Sequence, residues 1–202
     1  MFSRRHPGYN KFKPLIGGVF TLEGVIGAGK STLGRSLESY LNGIGFKAKF
    51  FPEYVNPVLL NQYIGDMKKY AYSFQLFMLC KRIEIYREAE RFSRKGGIAL
   101  IDRSIIGDMT FARMQKENGN FDEKEWETYI SVMEKEIQLV PTASVYLRCS
   151  PETSLNRVKL RGIPSEISGY TIDYMKQLNA AYEESIEECT NVRHIIINWN
   201  DP

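Results

Sequence analysis

The residues Gly24-Val25-Ile26-Gly27-Ala28-Gly29-Lys30-Ser31 follow an apolar run at 15–22 and lead into Thr32-Leu33-Gly34, the start of a segment with helical periodicity. A glycine, four residues and then Gly-Lys-Ser is the pattern of a phosphate-binding loop, which works only between a strand and a helix. Loop N–H groups curl around the phosphates while the helix N-terminus adds partial positive charge. This strand–loop–helix unit commits the chain to an α/β fold. It makes the eight residues and Thr32 the expected nucleoside triphosphate site, with Lys30 reaching the β- and γ-phosphates. The Ser31 hydroxyl is placed to ligate Mg²⁺.

The rest of the chain repeats that alternation. Short apolar, β-rich runs lie at residues 15–22, 46–51, 98–101, 144–147 and 192–197. Helical patterns separate them at 30–42, 57–63, 69–94, 105–116, 123–139, 151–160 and 171–188. Continuous apolar strands joined through helices imply a five-stranded parallel sheet flanked by helices on both faces. Ligands of such folds sit beyond the carboxyl ends of the strands, so the residues closing each strand are where chemistry is expected.

Composition restricts the function classes. The chain has 202 residues and a net charge of +3, but Arg4, Arg5, Lys11 and Lys13 put four positive charges before the first strand, leaving 3 − 4 = −1 for the remainder. That balance argues against a nucleic-acid-binding enzyme, which would carry a basic face throughout. Residues 1–14 are expected to form a solvated, flexible arm, a partner- or nucleic-acid-binding arm being the alternative; residues 15–202 are expected to form one domain. The arm lacks the apolar core of a secretory signal. Cys80, Cys149 and Cys189 are odd in number and show no CxxC spacing. They read as reduced thiols of a cytoplasmic protein without a zinc site. No segment has the apolar length of a membrane span.

Three strand ends carry candidate groups. The run Ile98-Ala99-Leu100-Ile101 closes in Asp102-Arg103-Ser104. Beside a phosphate-binding loop, Asp102 is placed to hold Mg²⁺ directly or through water; a helix cap is the alternative. Arg103 cannot deprotonate and needs an anionic partner if buried. Glu53, after Phe51-Pro52, would face the loop, where a carboxylate can accept a hydroxyl proton during phosphoryl transfer; a surface carboxylate is the alternative. Gln75 shares a helical face with Met78 or Leu79 and with Arg82. Its amide fits a nucleobase edge or a backbone-satisfied core position equally well. Arg157 and Arg161, at i, i+4 spacing, share a face. They are either free surface arginines or the clamp of a mobile lid.

Taken in order, these motifs resemble the deoxyribonucleoside kinase family, which includes deoxycytidine, deoxyguanosine and deoxyadenosine kinases. The similarity runs from about Gly18 to Ile186 and includes Pro52-Glu53, Phe74-Gln75 followed by Arg82, Asp102-Arg103-Ser104 followed by Asp108 and Phe111, and Arg157-x-x-x-Arg161-Gly162 followed by Ser165-Glu166. The resemblance implies a P-loop kinase fold with an arginine-bearing lid, acting as an ATP-dependent deoxynucleoside 5′-kinase in nucleotide salvage. It makes Glu53 the general base on the 5′-hydroxyl and Arg103 its clamp. Gln75 is implied to pair with the base, between Phe74 and Phe111. Glu166 and a tyrosine would bind the 3′-hydroxyl, and Arg157 and Arg161 would contact phosphates. Arg82 and Asp108 match the polar pair of members that select deoxycytidine or purine deoxynucleosides, whereas thymidine-preferring members are apolar there. Met78 and Asp102 resemble the bacterial deoxyadenosine kinase branch. Deoxyadenosine, deoxycytidine and deoxyguanosine are therefore expected over thymidine. A homodimer built through the long helices is a further family expectation.

The chain departs from the family pattern at three places. The stretch Tyr54-Val55-Asn56-Pro57-Val58 after Glu53 lacks the tryptophan common there, Ile163 stands where a third lid arginine is common, and Tyr63 meets the 3′-hydroxyl position only with a one-residue shift. Two rival readings differ in kind: a thymidylate-kinase-like enzyme, which would carry Arg-Glu-Pro-Gly around the carboxylate, and a non-catalytic assembly subunit, which would have no need of Lys30, Ser31, Glu53, Asp102 and Arg103 together.

Overall fold

The computed structural model describes residues 17–136 and 140–200. The expected arm, residues 1–14, lies outside them. The elements run β1 (Gly18–Glu23), α1 (Lys30–Gly43), β2 (Ala48–Phe51), α2 (Pro57–Gly65), α3 (Met67–Arg94), β3 (Ile98–Asp102), α4 (Ile105–Glu117), α5 (Glu123–Glu134), β4 (Ala143–Arg148), α6 (Pro151–Arg161), α7 (Pro164–Gly169), α8 (Ile172–Glu188) and β5 (His194–Asn198). The strands form one five-stranded sheet in the order β2-β3-β1-β4-β5, and every pair is parallel.

Adjacent strand residues point to opposite faces, and both faces are used. Leu22, Phe50 and Leu100 pack under Leu33, Leu37 and Leu41 of α1. Their neighbours Phe51 and Ile101 instead join Val19 and Ala99 against Tyr86 and Ala89 of α3. Edge strand β5 departs from the expected full cover, since Ile195 and Ile196 are exposed.

Helix starts follow local chemistry. The side chains of Asn56, Asp66, Asp122, Ser150 and Thr171 cap α2, α3, α5, α6 and α8, each satisfying an N–H the helix leaves free. Two expected boundaries shift. Among the described residues the first strand begins at Gly18, residues 15 and 16 of the expected run lying outside them, and α5 ends at Glu134, short of the expected end at 139, which also lies outside them. The short α7 had no counterpart among the expected helices. It forms because Gly162, at φ 78°, closes α6 in the left-handed region and Pro164 at once opens a new turn.

The longest helix, α3, spans 28 residues. Its length, roughly 42 Å, carries side chains from beneath the sheet to the carboxyl ends of its strands.

Candidate active site

The loop after β1, the ends of β2 and β3, one face of α3, and α7 with the start of α8 surround a cavity of about 680 Å³. Lys30 heads α1 and folds back into its own loop, donating from Nζ to the carbonyls of Gly24 at 3.0 Å and Val25 at 2.9 Å. Burial, reinforced by the charge of Arg103, lowers the lysine to about 8 against the pull of Asp102, Glu53 and Glu23. The loop cannot carry a side chain at Gly27: its φ is 77°, and a Cβ would lie 2.5 Å from the Ser154 carbonyl oxygen. Val25 and Ala28 are buried in the core beneath the loop, and Thr32 is exposed.

The Ser31 hydroxyl donates to Asp102 Oδ2 at 2.5 Å. Asp102 is buried, and its Oδ1 has no hydrogen-bond partner among the described residues. A hydroxyl beside a carboxylate with an open, buried oxygen is a donor set suited to a hard divalent cation that keeps its waters and phosphate ligands. The two residues fit Mg²⁺.

Glu53 lies across the cavity, held between two guanidinium groups. Arg103 Nη1 donates to Oε2 at 2.6 Å, and Arg82 Nη2 donates to Oε1. Burial would raise this carboxyl, but Arg103, then Arg82 and Lys30, outweigh it and hold it down at about 2. Arg103 is fixed from several sides: Nε donates to the Tyr182 hydroxyl at 3.0 Å, Nη2 to the Gly24 carbonyl at 3.3 Å, and the guanidinium lies 5.1 Å from the Phe111 ring centre. Its φ of 68° is the one positive value at a non-glycine among the described residues.

On α3, Phe74, Gln75, Met78 and Arg82 all line the cavity. Leu79, the alternative to Met78, is buried in the core. Asp108 does not line the cavity. It is fully buried behind Arg82, paired with that guanidinium and accepting from the Tyr129 hydroxyl at 3.0 Å. Tyr63 stacks on Phe74 with ring centres 4.7 Å apart; its hydroxyl accepts from Gln115 Nε2 at 2.8 Å and meets the Tyr174 hydroxyl at 3.3 Å.

Arg157 and Arg161 part company despite their spacing. Arg161 pairs with Glu166 at 2.6 Å on the cavity rim. Arg157 turns to the outside of the loop, where Nη1 reaches the Ala28 carbonyl at 3.3 Å and Nη2 the Asn200 carbonyl at 3.3 Å.

Sequence reasoning passed over Glu23, although it closes β1 as Glu53 follows β2. It is fully buried, and Oε1 accepts from the Ser104 N–H at 2.7 Å. Burial raises its carboxyl against the opposing Ser104 hydrogen bonds and the charges of Arg103 and Arg82. The missed signal was the rule that strand ends carry the chemistry, which applies to β1 as well. Tyr170, Tyr174 and Tyr182 were also missed as site groups. They come from the far end of the chain and only the tertiary fold brings them here.

This fold and this site define a P-loop phosphotransferase. The chain belongs to the deoxynucleoside kinase family, whose model matches residues 20–201. It is 31% identical over 198 residues to a deoxyadenosine kinase of Dictyostelium discoideum, covering 96% of this chain and 78% of that protein. It is 29% identical over 173 residues to the deoxyadenosine/deoxycytidine kinase of Bacillus subtilis (strain 168), covering 83% and 76% of the two proteins. Among solved structures, the deoxyadenosine kinase of M. mycoides with the products dCMP and a flexible dCDP superposes with a TM-score of 0.76 at 26% identity, covering 89% of this chain and 90% of that one.

Proposed function

We propose that this member of the family transfers the γ-phosphoryl group of ATP to the 5′-hydroxyl of a deoxynucleoside, taking deoxyadenosine, deoxycytidine and deoxyguanosine over thymidine, in nucleotide salvage. The observation that carries the reading is the position of Glu53. The carboxylate shares one cavity with Lys30 and Ser31 of the phosphate loop and with the amide and guanidinium of Gln75 and Arg82. A hydroxyl presented between them meets a base on one side and the phosphoryl donor on the other.

In this reading the 5′-oxygen forms its bond to the γ-phosphorus while the bond to the β,γ-bridging oxygen breaks, and the 5′-proton passes to Glu53. Arg103 orients both the hydroxyl and Glu53. Lys30 and Arg161 offset the charge on the transferring group, and Arg157 joins them on the phosphates by swinging in from the Ala28 and Asn200 carbonyls it now holds. Mg²⁺, held through Ser31 and Asp102, supplies charge neutralisation on the phosphates. Gln75 pairs with the base edge, flanked by Phe74, Phe111 and Met78. Arg82, backed by Asp108, presents donors to ring nitrogens. Glu166, with Tyr63, holds the 3′-hydroxyl. A monophosphate acceptor, as a thymidylate-kinase-like enzyme would take, would bring its dianion against the Glu53 carboxylate.

No helix among the described residues is long and apolar enough to cross a membrane. A cytoplasmic homodimer completes the proposal. Its test is turnover of deoxyadenosine against 2′,5′-dideoxyadenosine with ATP. The first is phosphorylated, and the second, lacking the accepting hydroxyl, is a competitive inhibitor. ADP formation at equal rates with both would contradict it.

A further inference from the structure

Glu53 is a poor base as it stands. Both carboxylate oxygens already accept from guanidinium groups, Oε2 from Arg103 and Oε1 from Arg82. Lys30 adds a third positive charge from the phosphate loop. Each oxygen keeps a second lone pair, but two guanidinium partners and Lys30 leave the carboxylate with little hold on a proton, so Glu53 becomes a stronger base when one arginine lets go.

The structure distinguishes the two arginines. Arg103 has nowhere else to go, since its side chain is tied to Tyr182 of α8 and to the Gly24 carbonyl, and it lies over Phe111 of α4. Arg82 has an alternative. It is shared between Glu53 and Asp108 of α4, and its Nε has no hydrogen-bond partner among the described residues. It also lines the cavity one helical turn beyond Met78 and two beyond Gln75, where the acceptor's base would lie.

We infer that Arg82 is a positioning residue for catalysis as well as a selector of the base: an acceptor whose nucleobase engages the Arg82 guanidinium loosens it from Glu53 while Asp108 keeps it paired from behind, and Oε1, relieved of that partner, takes the 5′-proton. The inference rests on the deoxynucleoside kinase reading. It couples recognition at one end of the cavity to proton transfer at the other. A deoxynucleoside with a base of the wrong donor–acceptor pattern would fail in turnover as well as in binding. With Arg82 still on Oε1, a water molecule entering the empty acceptor site would meet a weakened base, which slows futile hydrolysis of ATP. Asp108 is the second half of the device, because it supplies the resting place that keeps Arg82 paired after release. An arginine moved away from Glu53 with no such partner would be a buried, unpaired charge.

The test uses the full chain and an acceptor without a base, 1,4-anhydro-2-deoxyribitol, in which hydrogen replaces the nucleobase. Wild-type protein, Arg82→Gln and the double variant Arg82→Gln/Asp108→Asn, which avoids leaving Asp108 unpaired, are assayed with this sugar and with deoxyadenosine. The expected result is opposite movement. Loss of the arginine lowers kcat/KM for deoxyadenosine but raises it for the baseless sugar by about ten-fold or more, within the range positioned proton transfer supplies. Adding Glu53→Gln abolishes that gain. A role confined to binding the base would leave the baseless sugar unchanged, and a purely structural role would lower both activities; either result in both variants overturns the inference. In that event the kinase reading survives on wild-type turnover of deoxyadenosine. Absence of wild-type turnover with any deoxynucleoside overturns both.

Discussion

Arg103 donates from Nη1 to Glu53 Oε2 at 2.6 Å, and it does so from a left-handed backbone at φ 68°. A non-glycine residue in that region carries about 1–3 kcal/mol of strain and persists only where its surroundings overdetermine it. Here the surroundings are the Arg103 N–H on the Leu22 carbonyl at 3.0 Å and the next N–H, of Ser104, on Glu23 at 2.7 Å. The turn that aims the guanidinium at Glu53 is thus held by the strand beside it.

Because the grip uses three nitrogens in a fixed fork, lysine cannot reproduce it. Arg103→Lys is expected to lower turnover by about 10²-fold through lost orientation, with KM for ATP changed far less. Steady-state kinetics in both substrates measure this. A loss confined to KM for ATP would place Arg103 on the donor side instead.

Glu53→Gln removes the proton acceptor while leaving an oxygen that still accepts from one arginine. Turnover should fall about 10²–10⁴-fold. The circular dichroism spectrum and ATP affinity should stay near those of the parent chain. Undiminished turnover would remove Glu53 from the base role.

Gly107 tests the packing behind the site. A Cβ there would lie 2.7 Å from both Glu23 Oε2 and the Tyr182 hydroxyl oxygen. Alanine's helix preference over glycine, about 1 kcal/mol, opposes that clash, and overpacking of a tight interior costs about 1–3 kcal/mol. The expected net change is a loss of up to about 2 kcal/mol, a fall in thermal midpoint of up to roughly 8 °C. A rise in midpoint for Gly107→Ala would show that Glu23 and Tyr182 yield freely.

Lys30 gives the site a pH signature. Burial, then the charge of Arg103, lowers it from 10.5 to about 8. Between those values the unfolded chain holds a proton that the folded chain has released, so this group makes the ligand-free protein more stable as pH rises through the window. Triphosphate binding needs the ammonium, so kcat/KM for ATP should decline above about pH 8, the value in the free enzyme. Lys30→Arg should remove the decline at lower overall efficiency. A wild-type profile flat to pH 9.5 would contradict this.

Much of the sheet was legible because its strands are short apolar runs, and the phosphate loop because its glycines and Lys30 are contiguous. Asp102 and Glu53 were legible because a rule about strand ends pointed at them. Arg82 and Asp108 were legible as a pair only through resemblance, since 26 residues separate them. Their sharing with Glu53 depends on how α3 and α4 cross and could not be read locally. The divergence of Arg157 from Arg161 was hidden for another reason. Both lie within α6, so the spacing holds, but their long side chains find different partners, Arg161 the Glu166 carboxylate of α7 and Arg157 the carbonyls of Ala28 and Asn200. Tyr174 and Tyr182 sit in a helical pattern indistinguishable from that of core aromatics, with Tyr170 in the extended turn just before it, and it is the docking of α8 against α4 that turns them into the site.

The most direct measurement is ATP-dependent phosphorylation of deoxyadenosine, deoxycytidine, deoxyguanosine, thymidine and thymidylate under one set of conditions. The account predicts 5′-monophosphates from the first three, with thymidine turned over poorly and thymidylate untouched. Turnover of thymidylate alone, or of none of the five, would contradict it.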